Sequence, residues 1–365
     1  MTLDGLHYDQ KGVRHMKPKI VALTLLLTLT LAGQRRVGQS NITVPIPPDP
    51  HELVTGPVQT PAAGGSGASL ELLQRALQNS RLMVLGTPPF QIDVSFSSAG
   101  DDAQTGQGQF TQVWLSPQVW RWNASLGNIT VVRGASSQGP FADSNAAVPM
   151  RIHMLRNAIF SSMYDIAIGT QLRTTPVTWN GKPANCVMTS GVVGAANYQG
   201  RLWEELEYCF DSASGLLVSS SFAPGVFTVY SYAKNQHFHG HNLPDHFTMY
   251  VGGDQVLDAS LQISDAAGTD ANSLAPTPDM VARGTVLDSP ARQPIPVAAP
   301  AGTSKVSAIM VHANVVDGTV METEVCAASD TSLVSAAIAA VQRINLGPGS
   351  QQQVYFLVRF VPAPS

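Results

Sequence analysis

The chain has 365 residues, a formal net charge of −4 and only 13% charged residues, so no basic stripe is present to neutralise a nucleic-acid backbone. That length favours two domains over one. Its three cysteines, Cys186, Cys209 and Cys326, suit an oxidising compartment as one pair and one left over.

In chain order, residues 1–15 precede a second methionine, carry no targeting character and read as an over-extended gene start. Lys17 and Lys19 then head an apolar run from Ile20 to Ala32 that ends on Leu31-Ala32-Gly33. A positive head, a short apolar middle and a small-residue end define a signal peptide over residues 16–33, shorter than the ~20 apolar residues of a spanning helix. The expected location is the periplasm, with an inner-membrane anchor as the alternative if the segment is retained. Residues 34–67, rich in Pro, Gly and Ser, read as a flexible tether.

Residues 68–281 read as one long antiparallel sheet with a helix or two on its apolar face. Ser69 caps a helix with Leu70, Leu73 and Leu77 on one side, and Pro149 opens another that runs to about Ser162. Between and beyond them Phe90, Ile92, Val94 and Phe96 alternate with polar neighbours, as do Trp120 and Trp122, and later Phe247, Met249 and Val251. Asn180-Gly181 marks a hairpin and Asp211 to Gly215 a turn. A sheet this large must curl. Its apolar face, with Phe90, Ile92, Val94, Phe96, Trp120 and Trp122, is then either a container for an apolar or lipid ligand or a surface filled by the protein's own side chains. Cys186 and Cys209 fall on neighbouring strands, so a disulfide is expected there, two buried thiols being the other reading.

Residues 282–303, with Pro290, Pro294, Pro296 and Pro300 among alanines, read as a semi-rigid linker. Residues 304–365 then give two strands around Asp317-Gly318, a helix capped by Asp330 with Leu333, Ala337, Ile338 and Val341 inward, a Gly347-Pro348 stop, and a strand from Val354 to Val361. The fold class is therefore α+β: a curled half-barrel with packed helices, followed by a small ββαβ unit. Val354, Phe356, Val358 and Phe360 lie on the closing strand, the candidate edge for pairing with a membrane partner's extended segment.

Chemistry-bearing motifs are few. His237, His239 and His241 alternate, with His246 beyond and Asp245 beside it; on an extended strand they would share a side where Zn²⁺ or Cu²⁺ could bind, although Gly240 and Pro244 favour a solvated turn. Glu204, Glu205 and Glu207 read as wet surface. No serine elbow, phosphate loop or dinucleotide fingerprint occurs, so neither an enzyme nor a cofactor is expected.

Two resemblances follow from these residues. Gly106 to Phe110, Trp114-Leu115-Ser116-Pro117 and Trp120-Arg121-Trp122 resemble the periplasmic outer-membrane lipoprotein carrier family, the LolA-like half-barrels, which implies an apolar or lipoprotein ligand. Ser116 stands where that family places a basic residue before the turn proline. Val315 to Val320, Ala336, Ala337, Val341, Gly347-Pro348 and Phe356 to Pro362 resemble the C-terminal domain of the TonB family of envelope energy transducers, which implies a membrane-protein partner.

Overall fold

The computed structural model describes residues 44–53, 67–100, 104–143, 147–166, 170–190, 200–282, 291–347 and 352–362. The expected gene-start and signal segments, 1–15 and 16–33, lie outside the described residues. A first helix, α1 (Gly67–Ser80), buries Ser69, Leu73 and Ala76. Strands follow: β1 (Phe90–Ser98), β2 (Gly106–Ser116), β3 (Val119–Leu126), β4 (Ile129–Ser136) and β5 (Gly139–Ala142). After helix α2 (Met150–Phe160) come β6 (Gln171–Trp179), β7 (Lys182–Ser190), β8 (Leu206–Asp211), β9 (Leu217–Ala223) and β10 (Val226–Ser231). A short hairpin of β11 (Gln236–Phe238) and β12 (His241–Leu243) precedes β13 (His246–Val251), β14 (Asp254–Asp265) and β15 (Val281–Ala282).

Among the described residues thirteen of these strands form one open sheet in the order β15-β5-β4-β3-β2-β1-β14-β13-β10-β9-β8-β7-β6. Alternation decides which face is inner: in β1, Phe90, Ile92, Val94 and Phe96 are buried while Asp93 and Ser95 are exposed. The hairpins are tight where the sequence allows left-handed backbone, as at Asn180-Gly181 with φ of 49° and 75°, the pattern of a type I′ turn.

Helix α2 shows that the sheet curls. Arg156 on α2 stacks 4.8 Å above Trp122 of β3 and donates to Gln112 Oε1 of β2 at 2.9 Å. Two residues on, the Ala158 carbonyl accepts from the Tyr230 hydroxyl of β10 at 3.2 Å. In a flat sheet β3 and β10 would lie about 24 Å apart at ~4.8 Å per strand, so only a curled sheet lets both reach one helix.

The C-terminal part comprises β16 (Ala291–Ala298), β17 (Ser307–Val316), β18 (Thr319–Ala328), α3 (Val334–Gln342) and β19 (Gln352–Val361), with the sheet order β16-β19-β17-β18. Strand β17 is buried on both faces, which is why it reads as a near-continuous apolar run. Ala308 and Met310 join the core around α2, whereas Ile309, Val311, Ala313 and Val315 pack under α3 with Ala337 and Val341. The layers are therefore half-barrel, α2, second sheet and α3, within one compact unit over 42–365.

Parts of the two segments read as a flexible tether and a semi-rigid linker pack into the fold. Within the linker stretch 282–303, Ala291–Ala298 pairs in parallel with β19. Ile295 and Val297 pack on the core while Pro294 and Pro296 face outward, where an edge strand needs no N–H donor. Within the tether stretch 34–67, residues 44–53 lie on the protein as a strap. Proline-rich backbone has little entropy left to lose on docking, and the strap has anchors: Val44 C=O accepts from Trp203 Nε1 at 2.8 Å, and His51 stacks on Tyr250 at 3.5 Å.

Candidate functional site

The six residues expected to line an apolar groove do converge on the inner face. Phe90, Ile92, Val94, Phe96 and Trp122 are fully buried and Trp120 is half-buried. What they meet is protein: Phe160 of α2 lies 6.4 Å from both Phe90 and Phe110, and Trp114 stacks on Phe90 at 5.4 Å. Ten of the eleven residues of α2 are buried, including Arg151, His153, Arg156 and Asn157.

Arg151 and Asn157 serve the contact with the second sheet, whereas Arg156 reaches Gln112 of β2. Arg151 forms an ion pair with Glu324 of β18 at 2.7 Å and donates from Nε to the Ala99 carbonyl at 3.0 Å. His312 of β17, wholly buried and stacked on Tyr355, contacts Glu324 through Nδ1 at 2.8 Å and Gln353 through Nε2 at 3.1 Å. Asn157 donates to the same Gln353, and Asn314 donates to Glu322, which also accepts from the Met150 amide at the start of α2. Burial alone would raise the Glu324 carboxyl, but the His312 hydrogen bond and charge, with Arg151, hold it at about 2. Sequence reasoning missed this network. Its trace was there: His312-x-Asn314 and Glu322-x-Glu324 are polar pairs at strand spacing inside apolar strands.

The expected partner strand is not an edge. Val354, Phe356, Val358 and Phe360 are buried in β19, which is flanked by β16 and β17. Pairing by the proline-containing segment takes the edge position that the sequence reading assigned to Val354–Val361. Nor are the true edges flat templates. β16 carries Pro294 and Pro296, and β18 shifts register around Met321 and again around Cys326.

The histidines do not assemble. His239 and Gly240 have φ of 44° and 89° and form the turn between β11 and β12, so the chain reverses where an extended strand was needed. His237 is exposed, His239 faces Asp265 at 3.6 Å, His241 Nδ1 meets the Asn79 carbonyl at 3.1 Å, and His246 meets Asp258 at 3.1 Å.

On the outer face of the half-barrel Cys186 and Cys209 are joined by a disulfide across β7 and β8, with Leu53 of the strap and Met188 packed against it. Beside it lies a buried charge cluster where wet surface was expected. Arg173 holds Glu205 at 2.6 and 2.5 Å, Arg201 donates to the Glu205 carbonyl at 2.7 Å, and Glu207 stands 3.7 Å from Arg201. Burial pushes the Glu207 carboxyl up to about 7 against the pull of Arg201 and the Leu53 amide. Glu204 pairs with Arg359 of β19. A cavity of about 460 Å³ opens nearby, walled by Trp179, Ala184, Leu216, Val218 and Tyr232 with Lys182 and Asp211 at its polar side.

No family model matches the chain, and no curated protein does. Among solved structures it is similar to a LolA-superfamily protein from Nitrosomonas europaea, with 8% identity over 53% of this chain and 91% of that one and a TM-score of 0.35. It is also similar to a domain assigned to outer-membrane lipoprotein sorting from Vibrio parahaemolyticus, with 9% identity over 56% of this chain and 95% of that one and a TM-score of 0.34.

Proposed function

We propose that this chain is a non-enzymatic protein of the bacterial cell envelope, an interaction protein whose half-barrel is filled by its own helix. The observation that carries this reading is α2: it occupies the aromatic inner face on one side and is clamped by the second sheet on the other. The buried disulfide, together with the positive-then-apolar segment of residues 16–33, supports export to an oxidising compartment. Partners implied by the TonB-like pattern would have to dock on surfaces other than β19, whose both sides are already paired.

The test is lipid extraction and mass spectrometry of the protein purified from its native envelope, together with titration of a fluorescent fatty-acid probe. A filled half-barrel gives no stoichiometric lipid and no saturable uptake. Copurifying lipid at one equivalent, released when α2 is perturbed by Ala158→Trp, would overturn it in favour of a carrier.

A second reading, an apolar-ligand protein, is favoured by the cavity of about 460 Å³, whose aromatic and aliphatic wall with a few polar groups has the size and character of a small-molecule site. Probe uptake abolished by Trp179→Ala, and unchanged by Phe110→Leu in the interior, would establish it.

A further inference from the structure

We propose that Cys186, Cys209 and Glu207 form a zinc site that becomes available when the disulfide is reduced. Glu207 Oε1 lies 3.3 Å from Cys209 Sγ, a sulfur that in the disulfide has no proton to donate. Its Oε2 makes no hydrogen bond, and its side chain is only 2% exposed. A buried carboxylate is costly unless something answers its charge, and the nearest cation, Arg201, stands at 3.7 Å, beyond hydrogen-bond reach. In the oxidised state this carboxylate, answered only by Arg201 at 3.7 Å and the Leu53 amide, also faces two sulfurs that offer it nothing.

Reduction changes the chemistry of that neighbourhood. Two electrons and two protons from a dithiol reductant cleave the S–S bond and leave two thiols. Zn²⁺ then displaces both thiol protons, and the Glu207 proton where it is present, to solvent and forms two Zn–S bonds and one Zn–O bond to Glu207, with water as the fourth ligand. The donor atoms of Cys186, Glu207 and Cys209 already lie within 4.8 Å of one another. A tetrahedral zinc with bonds of about 2.0–2.3 Å needs donors roughly 3.5 Å apart, a distance that rotation of the freed Cys side chains supplies.

Two thiolates and one carboxylate are met by the dication, which leaves one negative charge beside Arg201, a guanidinium that Glu52 and Asp49 also face, while Arg173 and Glu205 neutralise each other. Thiolates with one carboxylate select a borderline-soft ion such as zinc over calcium or magnesium. Leu53 packs over the pair, so the strap over 44–53 also governs how fast a reductant arrives.

The experiment uses the whole exported chain and zinc ion alone. Thiols titrated in denaturant should rise from one, Cys326, to three on treatment with a phosphine reductant. The reduced, folded protein should then bind one zinc, and the oxidised protein none. Cobalt substituted for zinc should show a sulfur-to-metal charge-transfer band. Cys209→Ser should abolish binding, and Glu207→Gln should weaken it at least about tenfold while keeping the thiolate band. Should reduction loosen the fold, zinc should restore the near-ultraviolet circular dichroism of the oxidised protein. No uptake by reduced protein, failure of zinc to restore a loosened fold, or equal affinity of the Glu207→Gln variant would overturn the site as proposed.

Discussion

Arg151 on the buried helix meets Glu324 on the second sheet at 2.7 Å, and this pair is the polar centre of the contact between the half-barrel and the C-terminal sheet. Arg151 also reaches the Ala99 carbonyl at the end of β1, so one side chain touches three layers.

Removing one member of such a pair leaves a buried charge without its partner. Arg151→Met should therefore cost about 3 kcal/mol in urea unfolding, with half-barrel and C-terminal sheet unfolding in one transition. The double variant Arg151→Met/Glu324→Leu should lose less than the two single variants added together, by about 1 kcal/mol or more. Strict additivity would show that the two side chains are not energetically coupled.

Acid should act on the same contact. The Glu324 carboxyl is held at about 2 against an ordinary 4.5, so the unfolded chain binds its proton more readily than the folded one. Its stabilisation is complete above pH 4.5 and disappears as pH falls toward 2. Stability measured between those limits should fall with decreasing pH, and Glu324→Gln should flatten that slope. An unchanged slope in the variant would assign the acid sensitivity to other carboxylates.

Gly225, in the turn between β9 and β10, marks a second point where the two parts touch. A Cβ there would lie 1.8 Å from the Cys326 carbonyl oxygen, and the backbone φ is +78°. Gly225→Ala should cost about 2 kcal/mol or more, because steric overlap with backbone adds to left-handed strain. Gly139, with φ of +107° and nothing within 4 Å, isolates the strain alone, so Gly139→Ala should cost about 1 kcal/mol. Equal losses would mean that β18 moves away at no cost.

Much of the framework was legible because it rests on local signals. Period-two alternation located β1 and β3, positive-φ pairs at Asn180-Gly181 and Asp317-Gly318 located hairpins, and opposed cysteines on paired strands located the disulfide. What escaped was set by contacts distant in sequence. Nothing local tells that Ala291–Ala298 will lie beside Val354–Val361, whereas the turn that breaks the histidine run, with His239 at its first central position, was signalled by Gly240 and Pro244. The burial of Glu205 and Glu207 was also invisible: Arg173, the partner of Glu205, comes from the distant strand β6, and Arg201, though close in sequence, sits in a loop whose docking no periodicity signals. The face of α2 was only half legible. The apolar Met154, Leu155, Ala158 and Ile159 are buried, but so is the polar side with Arg151 and Asn157, because a second sheet covers it.

The position of β19 can be read out by comparing two side chains of the C-terminal sheet. Phe356 is wholly buried at the centre of β19, between β17 and β16 and beneath α3, whereas Met321 sits in the irregular stretch of β18 and is 62% exposed. Phe356→Ala should cost about 3–5 kcal/mol, the loss expected for a core aromatic whose surroundings cannot close on the cavity. Met321→Ala should stay within about 0.5 kcal/mol. Both are measured by chemical unfolding of the whole chain. A peripheral strand open to a partner would instead tolerate the phenylalanine change at a cost near that of Met321, and β19 would then have to leave the centre of the sheet in solution.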